Sequence, residues 1–232
     1  MLHIATLFYS IALFAGLATL PVALADTWGP AYSLGPTSTS IIEAYTVFNP
    51  GTPPSPTQDY LFLWPGISNA TSGLIQSGAD AIADQETYCG ATEEQWCVSA
   101  SRFGSDGQTS GDLVPVDANT NITIHYLLGC DGITWNQTVT VGGEVISTLT
   151  STDGPLIEGG WGTGTECQSS CTGTGSAQFY YDTKITMSAE APEFDQTLGK
   201  GDGVIATDLY TNDGGLTWQV DSIEIPKYTA ST

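Results

Sequence analysis

The chain has 232 residues, of which 25 are acidic and 4 are basic, so its formal net charge is −21. The bases are too few and too scattered to follow a phosphate backbone, which excludes a nucleic-acid partner. They are Arg102, Lys184, Lys200 and Lys227. Hydrophobic residues make up 41% of the chain, which predicts one ordinary folded core and excludes a disordered chain.

The first element in chain order is an uncharged apolar stretch over residues 4–25. It ends in Ala23-Leu24-Ala25, the small-x-small pattern of a signal-peptidase site, directly before the polar Asp26. A signal anchor is the alternative, but Pro21 and this ending favour cleavage. We therefore predict a signal peptide over 1–25 and a single domain over 26–232. No later run approaches the ~20 apolar residues of a membrane span, so we expect a location in the secretory pathway, outside the cell or in a vesicle lumen.

The rest of the chain has a β pattern, with short runs rich in Thr, Val, Ile and aromatic residues between turn residues. Strands are predicted at Ile41–Phe48, Tyr60–Trp64, Asn121–Leu128, Thr134–Val141, Glu144–Leu149, Ala177–Tyr181, Lys184–Met187, Gly203–Leu209 and Leu216–Ile225. Gly142-Gly143 is typical of a hairpin turn, and one short turn of helix is expected near Ala79–Ala83. Many short antiparallel strands in about 200 residues predict an all-β sandwich or jelly roll of the concanavalin A-like kind.

Features of a secreted protein lie in the mature part of the chain. Three sequons, at Asn69, Asn121 and Asn136, predict N-glycosylation. Five cysteines suit an oxidising compartment: Cys89, Cys97, Cys130, Cys167 and Cys171. The local pairings are Cys89–Cys97 and Cys167–Cys171, which would leave Cys130 free. The spacing leaves other connectivities open.

Several kinds of chemistry are disfavoured by what the sequence lacks. His125 is the only histidine after the signal peptide, and its place in an alternating run favours a structural strand residue over a catalytic one. The chain contains neither a dinucleotide-binding glycine motif nor a phosphate-binding loop, so no cofactor is expected. Asp202, Asp208 and Asp213 could offer carboxylates to calcium, but they lack EF-hand spacing, and no metal site is predicted.

One segment resembles a known family. Trp64, Gly66 and Ile67, followed by Leu74-Ile75-Gln76-Ser77-Gly78, are similar to the W-x-G-I…L-Q-[ST]-G segment of the fungal glutamic peptidases. Those enzymes are secreted β-sandwiches in which a Gln and a Glu activate water. The resemblance implies that Gln76 is the Gln and Glu166 the Glu. The family's A-E-W is T-E-C here, which departs from its pattern.

A resemblance over most of the mature chain is to small secreted fungal proteins. It is carried by Asp59–Ser77, Cys89–Val98 and Thr165–Thr174. The family implied is the cofactor-free hetero-Diels–Alderases of tropolone–sesquiterpenoid biosynthesis. They dehydrate a hydroxymethyl tropolone to an o-quinone methide and guide its cycloaddition to a humulene-type alkene. Such a reaction needs an apolar cavity that orients two small hydrophobic substrates.

The candidate site residues follow from these two resemblances. Gln76 is a hydrogen-bond donor, Glu166 is an acid or base, and Trp64 and Trp161 are walls for flat ligands. Three functions are weighed: a pericyclic enzyme, an acid-active glutamic-type peptidase, and a carbohydrate-binding or polysaccharide-cleaving sandwich. The sequence leaves the oligomeric state open.

Overall fold

The computed structural model describes residues 27–56, 60–69, 73–168, 171 and 174–228. The predicted signal peptide, 1–25, lies outside these residues. The described chain forms two antiparallel sheets joined into a sandwich, with disulfides Cys89–Cys97 and Cys167–Cys171. Both the predicted fold class and the two local disulfide pairings are therefore confirmed, and Cys130 is free and exposed.

The elements are short and closely spaced. In chain order the strands are β1 (Thr27–Trp28), β2 (Tyr32–Leu34), β3 (Ile41–Asn49), β4 (Tyr60–Ser68), β5 (Leu74–Ile82), β6 (Gln95–Gly104), β7 (Gly107–Ser110), β8 (Val114–Asp117), β9 (Ile122–Leu128), β10 (Trp135–Val141), β11 (Glu144–Ser151), β12 (Gly160–Gln168), β13 (Gln178–Met187), β14 (Gly199–Lys200), β15 (Ile205–Ala206), β16 (Tyr210–Thr211) and β17 (Thr217–Ile225). The helix α1 spans Gln85–Cys89, and a 3-10 turn spans Phe194–Thr197.

Each strand belongs to one of two sheets. Sheet A has nine strands in the order β14-β2-β12-β4-β5-β6-β7, with β1 on β12 and β8 on β6. Sheet B has eight strands in the order β11-β10-β9-β3-β13-β17-β15, with β16 on β17. Neighbours in space are often distant in sequence, as in the β12–β4 pair at the centre of sheet A.

The core lies between the sheets and is formed by alternate residues of each strand. In β10, for example, Trp135, Gln137 and Val139 are buried, while the residues between them face outward. Three fully buried tryptophans, Trp96, Trp135 and Trp161, supply the largest side chains of this core. Such aromatic burial provides most of the hydrophobic stabilisation of a sandwich.

Polar side chains also connect the two sheets through the core. The Tyr126 hydroxyl on β9 donates a 2.7 Å hydrogen bond to the carbonyl oxygen of Pro65 on β4. Ser77 on β5 donates to Gln137 on β10 at 3.1 Å. Because an unpaired buried polar group is costly, these bonds fix how the sheets lie over one another.

The structure corrects two local sequence predictions. Residues 79–82 belong to β5 and not to a helical turn, because Ala79 and Ala81 point into the core as alternate strand residues. The helix begins after Asp84, whose carboxylate accepts a hydrogen bond from the backbone N–H of Thr87. Of the strand predicted at Gly203–Leu209, only Ile205–Ala206 pairs, at a sheet edge.

A β-bulge explains a further difference. The strands predicted at Ala177–Tyr181 and Lys184–Met187 are one strand, β13, whose pairing with β3 shifts between Tyr181 and Lys184. Asp182 has a positive φ of 50° at this place, which is typical of a bulge residue. Within the described residues no helix is long and apolar enough to cross a membrane.

Candidate active site

The outer face of sheet A is lined at its centre by glycines in place of side chains. Gly66 on β4 pairs with Gly162 on β12, while Gly78 on β5 and Gly164 on β12 lie beside Trp64. A Cβ added to Gly164 would lie 2.3 Å from Cε2 of Trp64, so the indole lies against the bare backbone of β12. These four glycines, the glycine strip, leave a shallow trough along the face.

Trp64 is held in this trough by two contacts. Its indole Nε1 donates a 3.2 Å hydrogen bond to Oε2 of Glu166. Trp28 on β1 packs edge-on against it, with ring centroids 6.2 Å apart. The Trp64 side chain thus joins an aromatic wall to a carboxyl group.

Glu166 lies on β12, between β1 and β4. It pairs with Trp28 on one side and Phe62 on the other. The Gln168 side-chain nitrogen donates to its second oxygen, Oε1, at 2.7 Å. Both carboxyl oxygens therefore accept a hydrogen bond, which fixes the orientation of the group.

A second carboxyl group, Asp80, lies in the same row of the sheet. Asp80 on β5 pairs with Phe62 on β4, which in turn pairs with Glu166. The Tyr88 hydroxyl on α1 donates a 3.0 Å hydrogen bond to Oδ2 of Asp80. We call Asp80, Tyr88 and Glu166 the carboxyl cluster.

The carboxyl cluster is an unusual electrostatic environment. Burial raises the pKa of Asp80 to about 7; the hydrogen bond from Tyr88 opposes the rise, and the charge of Glu166 adds to it. Burial, and then the neighbouring Asp80, raise the pKa of Tyr88, which stays a hydrogen-bond donor. Asp80 is thus half protonated near neutral pH, the property required of a general acid.

Both disulfides flank this cluster. Cys97 pairs with Asp80 across β6 and β5, and it is bonded to Cys89, the residue after Tyr88. This disulfide anchors α1 over the end of β5, where its tyrosine reaches Asp80. Cys167 directly follows Glu166 and is bonded to Cys171. The covalent links therefore position the segments that carry the polar groups.

A groove lies over part of the glycine strip, at Gly66 and Gly162. It has a volume of about 410 Å³ and is lined by Trp64, Gly66, Leu74, Glu158 and Gly162, among others. Its floor is largely backbone, and Trp64 and Leu74 contribute apolar surface. Trp64 lines the groove and is hydrogen-bonded to Glu166, so this indole connects the groove to the carboxyl cluster.

The structure does not bring Gln76 and Glu166 together. Gln76 on β5 pairs with Gly66 on β4, and the residue across from it on β12 is Gly162. Glu166 lies four residues further along β12, about 13 Å in strand length. The Gln76 Oε1 atom is buried and has no hydrogen-bond partner in the described chain. Gln76 is therefore not a direct partner of Glu166.

The two predicted tryptophans occupy different environments. Trp64 lies on the outer face, whereas Trp161 is 1% exposed and packs edge-on against Tyr32 in the core. The alternation of β12 explains this, since Trp161 and Glu166 point to opposite faces. Trp161 lines the groove but its side chain is buried, so its role as a substrate wall stays a prediction.

The sequence reasoning missed Asp80 and Tyr88. A usable signal exists for the first: Asp80 is four residues after Gln76 in a buried strand, so the two share one face. A carboxyl group in such an apolar run is rarely retained without a role or a partner. Tyr88 carries no comparable signal, because its position depends on how α1 folds back over β5.

The remaining candidate residues lie elsewhere. His125 is a strand residue of β9 whose Nε2 is 2.7 Å from Oε1 of Glu43, on the outer face of sheet B. Asn69 and Asn121 accept hydrogen bonds through their side-chain oxygens, and Asn136 is exposed on β10. Their glycosylation stays a prediction. Among the described residues no three His, Cys, Asp or Glu side chains cluster as metal ligands would.

The fold defines a class of β-sandwich that is found among peptidases. A scytalido-glutamic peptidase, solved with a transition-state analogue inhibitor, is 13% identical with a TM-score of 0.54, covering 84% of this chain and 98% of that chain. SCP-B, of the eqolisin family of peptidases, in complex with the tripeptide Ala-Ile-His, is 15% identical with a TM-score of 0.49 over the same shares. No protein-family model matches the sequence, and no curated protein shows significant similarity to it.

These identities establish a shared fold and no more. They support the resemblance to the glutamic peptidases at the level of the sandwich. They give no support to the resemblance to the hetero-Diels–Alderases.

Proposed function

We propose that the chain is an acid–base enzyme whose active centre is the carboxyl cluster, and that it hydrolyses peptide bonds at mildly acidic pH. The observation that carries the proposal is the pair of carboxyl groups in one row of sheet A. Burial and Glu166 raise the pKa of Asp80 to about 7. In many hydrolases, two carboxyl groups in different surroundings have different pKa values, so that one acts as an acid and the other as a base.

The two groups have distinct roles in this mechanism. Glu166, oriented by Trp64 and Gln168, accepts a proton from the attacking water. Asp80, in its protonated form, donates a proton to the substrate as the carbon–nitrogen bond breaks. Their strands are separated by β4, so the backbones are about 10 Å apart, and Phe62 on β4 lies between them, so water and the scissile bond would lie over its ring.

The groove supplies the substrate site. A peptide laid over Gly162 approaches the sheet closely, because this residue has no side chain, whereas Trp64 covers Gly78 and Gly164. The net charge of −21 disfavours acidic peptides and favours neutral or basic ones.

A second candidate function is favoured by the aromatic surroundings of the acid. Phe62 lies between the two carboxyl groups, and Trp28 and Trp64 form a wall beside Glu166. Such a site suits a flat hydroxymethyl tropolone: Asp80 protonates the leaving hydroxyl, which departs as water, and Glu166 takes the ring hydroxyl proton. The resulting o-quinone methide would add to a humulene-type alkene held against the same wall.

The two disulfides and the predicted signal peptide support a location in the secretory pathway for either function. The protein should therefore be produced in a secreting, glycosylating host.

The test compares both reactions on one preparation of the full chain. Internally quenched peptides are incubated from pH 3 to pH 8, and a hydroxymethyl tropolone with a humulene alcohol is incubated in parallel. We expect peptide cleavage that falls as the pH rises through about 7, because Asp80 then loses its proton. Failure to cleave any peptide would reject hydrolysis. Faster formation of one adduct stereoisomer than in buffer would instead support the second candidate.

A further inference from the structure

A second groove lies on the outer face of sheet B, on the far side of the sandwich from the carboxyl cluster. It has a volume of about 620 Å³. Glu43, Tyr45, His125, Asp182, Lys184 and Thr186 line it, together with Thr217. The proposed enzymatic reaction uses none of these residues.

The lining of this sheet B groove mixes hydrogen-bond donors and acceptors. Glu43 and Asp182 provide carboxylates, Lys184 provides an ammonium group, and His125 is bonded to Glu43 at 2.7 Å. Sugar hydroxyl groups both donate and accept, so they match such a surface better than a purely anionic or apolar ligand does. The ring of Tyr45 offers an aromatic surface for the apolar face of a sugar.

The register of sheet B aligns a glycosylation sequon with this groove. Asn136 on β10 pairs with Leu127 on β9, Leu127 pairs with Glu43 on β3, and Glu43 pairs with Thr186 on β13. Thr186 pairs in turn with Thr217. Asn136 therefore lies in the same row as one side of the groove, two strands or about 10 Å from Glu43.

Two further observations concern the path from Asn136 to the groove. Asn136 is exposed, and the hydroxyl of Thr150 donates to its side-chain oxygen, not to the nitrogen that carries a glycan. Leu127, the residue between Asn136 and Glu43, is 44% exposed on this face. A glycan that crosses this row would cover the apolar Leu127 before it reaches the polar lining.

We propose that the sheet B groove binds neutral sugar residues, and that its occupant is the N-linked glycan of Asn136. The glycan runs across Leu127 and lies against Glu43, Tyr45 and Lys184. Asn69 and Asn121 lie outside sheet B, and neither belongs to this row. The proposal is independent of the proposed enzymatic function, because the groove lies on the opposite sheet.

Amine labelling gives a direct test, because the chain has few lysines. Lys184 lines the groove, whereas Lys200 and Lys227 are exposed elsewhere and serve as internal references. The full chain is produced in an N-glycosylating yeast, Asn136 is mapped by glycopeptide mass spectrometry, and acetylation rates of the three lysines are compared. We expect Lys184 to react about fivefold more slowly, relative to the references, than in Asn136→Gln, the change expected from one net hydrogen bond to the sugar.

The controls separate the glycan from other causes. Asn121→Gln removes a different sequon and should leave Lys184 protected. Enzymatic removal of glycans from the folded wild-type protein should expose Lys184, which keeps the test valid if Asn136→Gln folds poorly. A free neutral chito-oligosaccharide added to Asn136→Gln should restore protection.

Three results would overturn the proposal. The first is an unmodified Asn136, and the second is a glycosylated Asn136 with Lys184 labelled at the reference rate. The third is protection of Lys184 that persists in Asn136→Gln and rises with protein concentration, which would show a second copy of the chain in the groove.

Discussion

The outer faces of the two sheets differ in what covers the backbone. At the centre of sheet A, four glycines leave bare backbone on which Trp64 lies, and the carboxyl cluster lies at the end of this strip. On sheet B, polar and charged side chains such as Glu43, His125 and Lys184 occupy the corresponding positions. One sandwich thus has two different outer surfaces built on the same kind of strand.

The ionisable groups on the two faces differ in how far they are buried. On sheet B, His125 and Glu43 have side chains 36% and 41% exposed, so water screens their interaction. On sheet A, the helix α1 and its disulfide cover one end of the face, and burial there raises the pKa of Asp80 to about 7. Both faces carry acidic residues, but in the described chain only on sheet A does a helix cover one of them, and this burial raises its pKa.

The largest expected effect is on activity. Asp80→Asn removes the acid but keeps the size of the side chain and an oxygen for Tyr88. We expect the rate of whichever reaction the chain catalyses to fall by about 100- to 10,000-fold. Steady-state kinetics below pH 7 measure this. Asp112→Asn, in an exposed loop, is the matched control, and equal rates for wild type and Asp80→Asn would remove Asp80 from the mechanism.

The same substitution should stabilise the fold at alkaline pH. The folded-state pKa of Asp80 is raised, so the folded chain resists ionisation and loses stability as the pH rises from about 4 towards about 7. Asp80→Asn avoids this cost, which predicts a free energy of unfolding higher by about 2–4 kcal/mol at pH 8 and little changed at pH 4. Urea unfolding of both proteins at pH 4 and pH 8 measures these free energies. A variant less stable than wild type at pH 8 would contradict the raised pKa.

How much of this could be predicted from the sequence differs between the fold and the site. Alternation within a strand is local, so the runs at Ile41–Phe48 and Glu144–Leu149 correctly indicated β3 and β11. The Gly142-Gly143 turn was also recoverable, because both residues adopt a positive φ that few other residues tolerate. Short spacing favoured the two local disulfides but left other connectivities open.

The site depends on relations that the sequence does not contain. Whether Gln76 faces Glu166 depends on the register across β5, β4 and β12, and these strands are far apart in the chain. The raised pKa of Asp80 depends on α1 folding back over β5. The motif residues Gln76 and Glu166 lie in the same sheet, but the motif could not show which residues lie in one row.

A smaller effect, on stability, is expected when a side chain is added to the glycine strip. Gly164→Ala would place a Cβ 2.3 Å from the Trp64 indole, which must then move away from Glu166. We expect a loss of about 1–3 kcal/mol in the free energy of unfolding and a change in Trp64 fluorescence. Gly175→Ala is the matched control, since its nearest neighbour, Cδ2 of Leu61, would lie at 3.8 Å. Equal losses in the two variants would show that the indole contact is unimportant.

The smallest effect is expected on sheet B. His125→Gln removes the ring that bonds Glu43 on a half-exposed face. The free energy of unfolding of the deglycosylated protein should change by less than about 1 kcal/mol. Chemical denaturation measures it. A loss as large as that of Gly164→Ala would mean that the two faces do not differ as described.

The titration of Asp80 most directly tests whether the carboxyl cluster is an acid–base centre. The carboxyl carbon of Asp80 is followed by nuclear magnetic resonance from pH 3 to pH 9, in the wild-type chain and in Glu166→Gln. We expect a midpoint at about 7 in the wild type. The midpoint should be lower in Glu166→Gln, because the negative charge of Glu166, which helps to raise the pKa of Asp80, is removed. A wild-type midpoint near 4, the ordinary value of an aspartate, would show that the carboxyl cluster is not an acid–base centre.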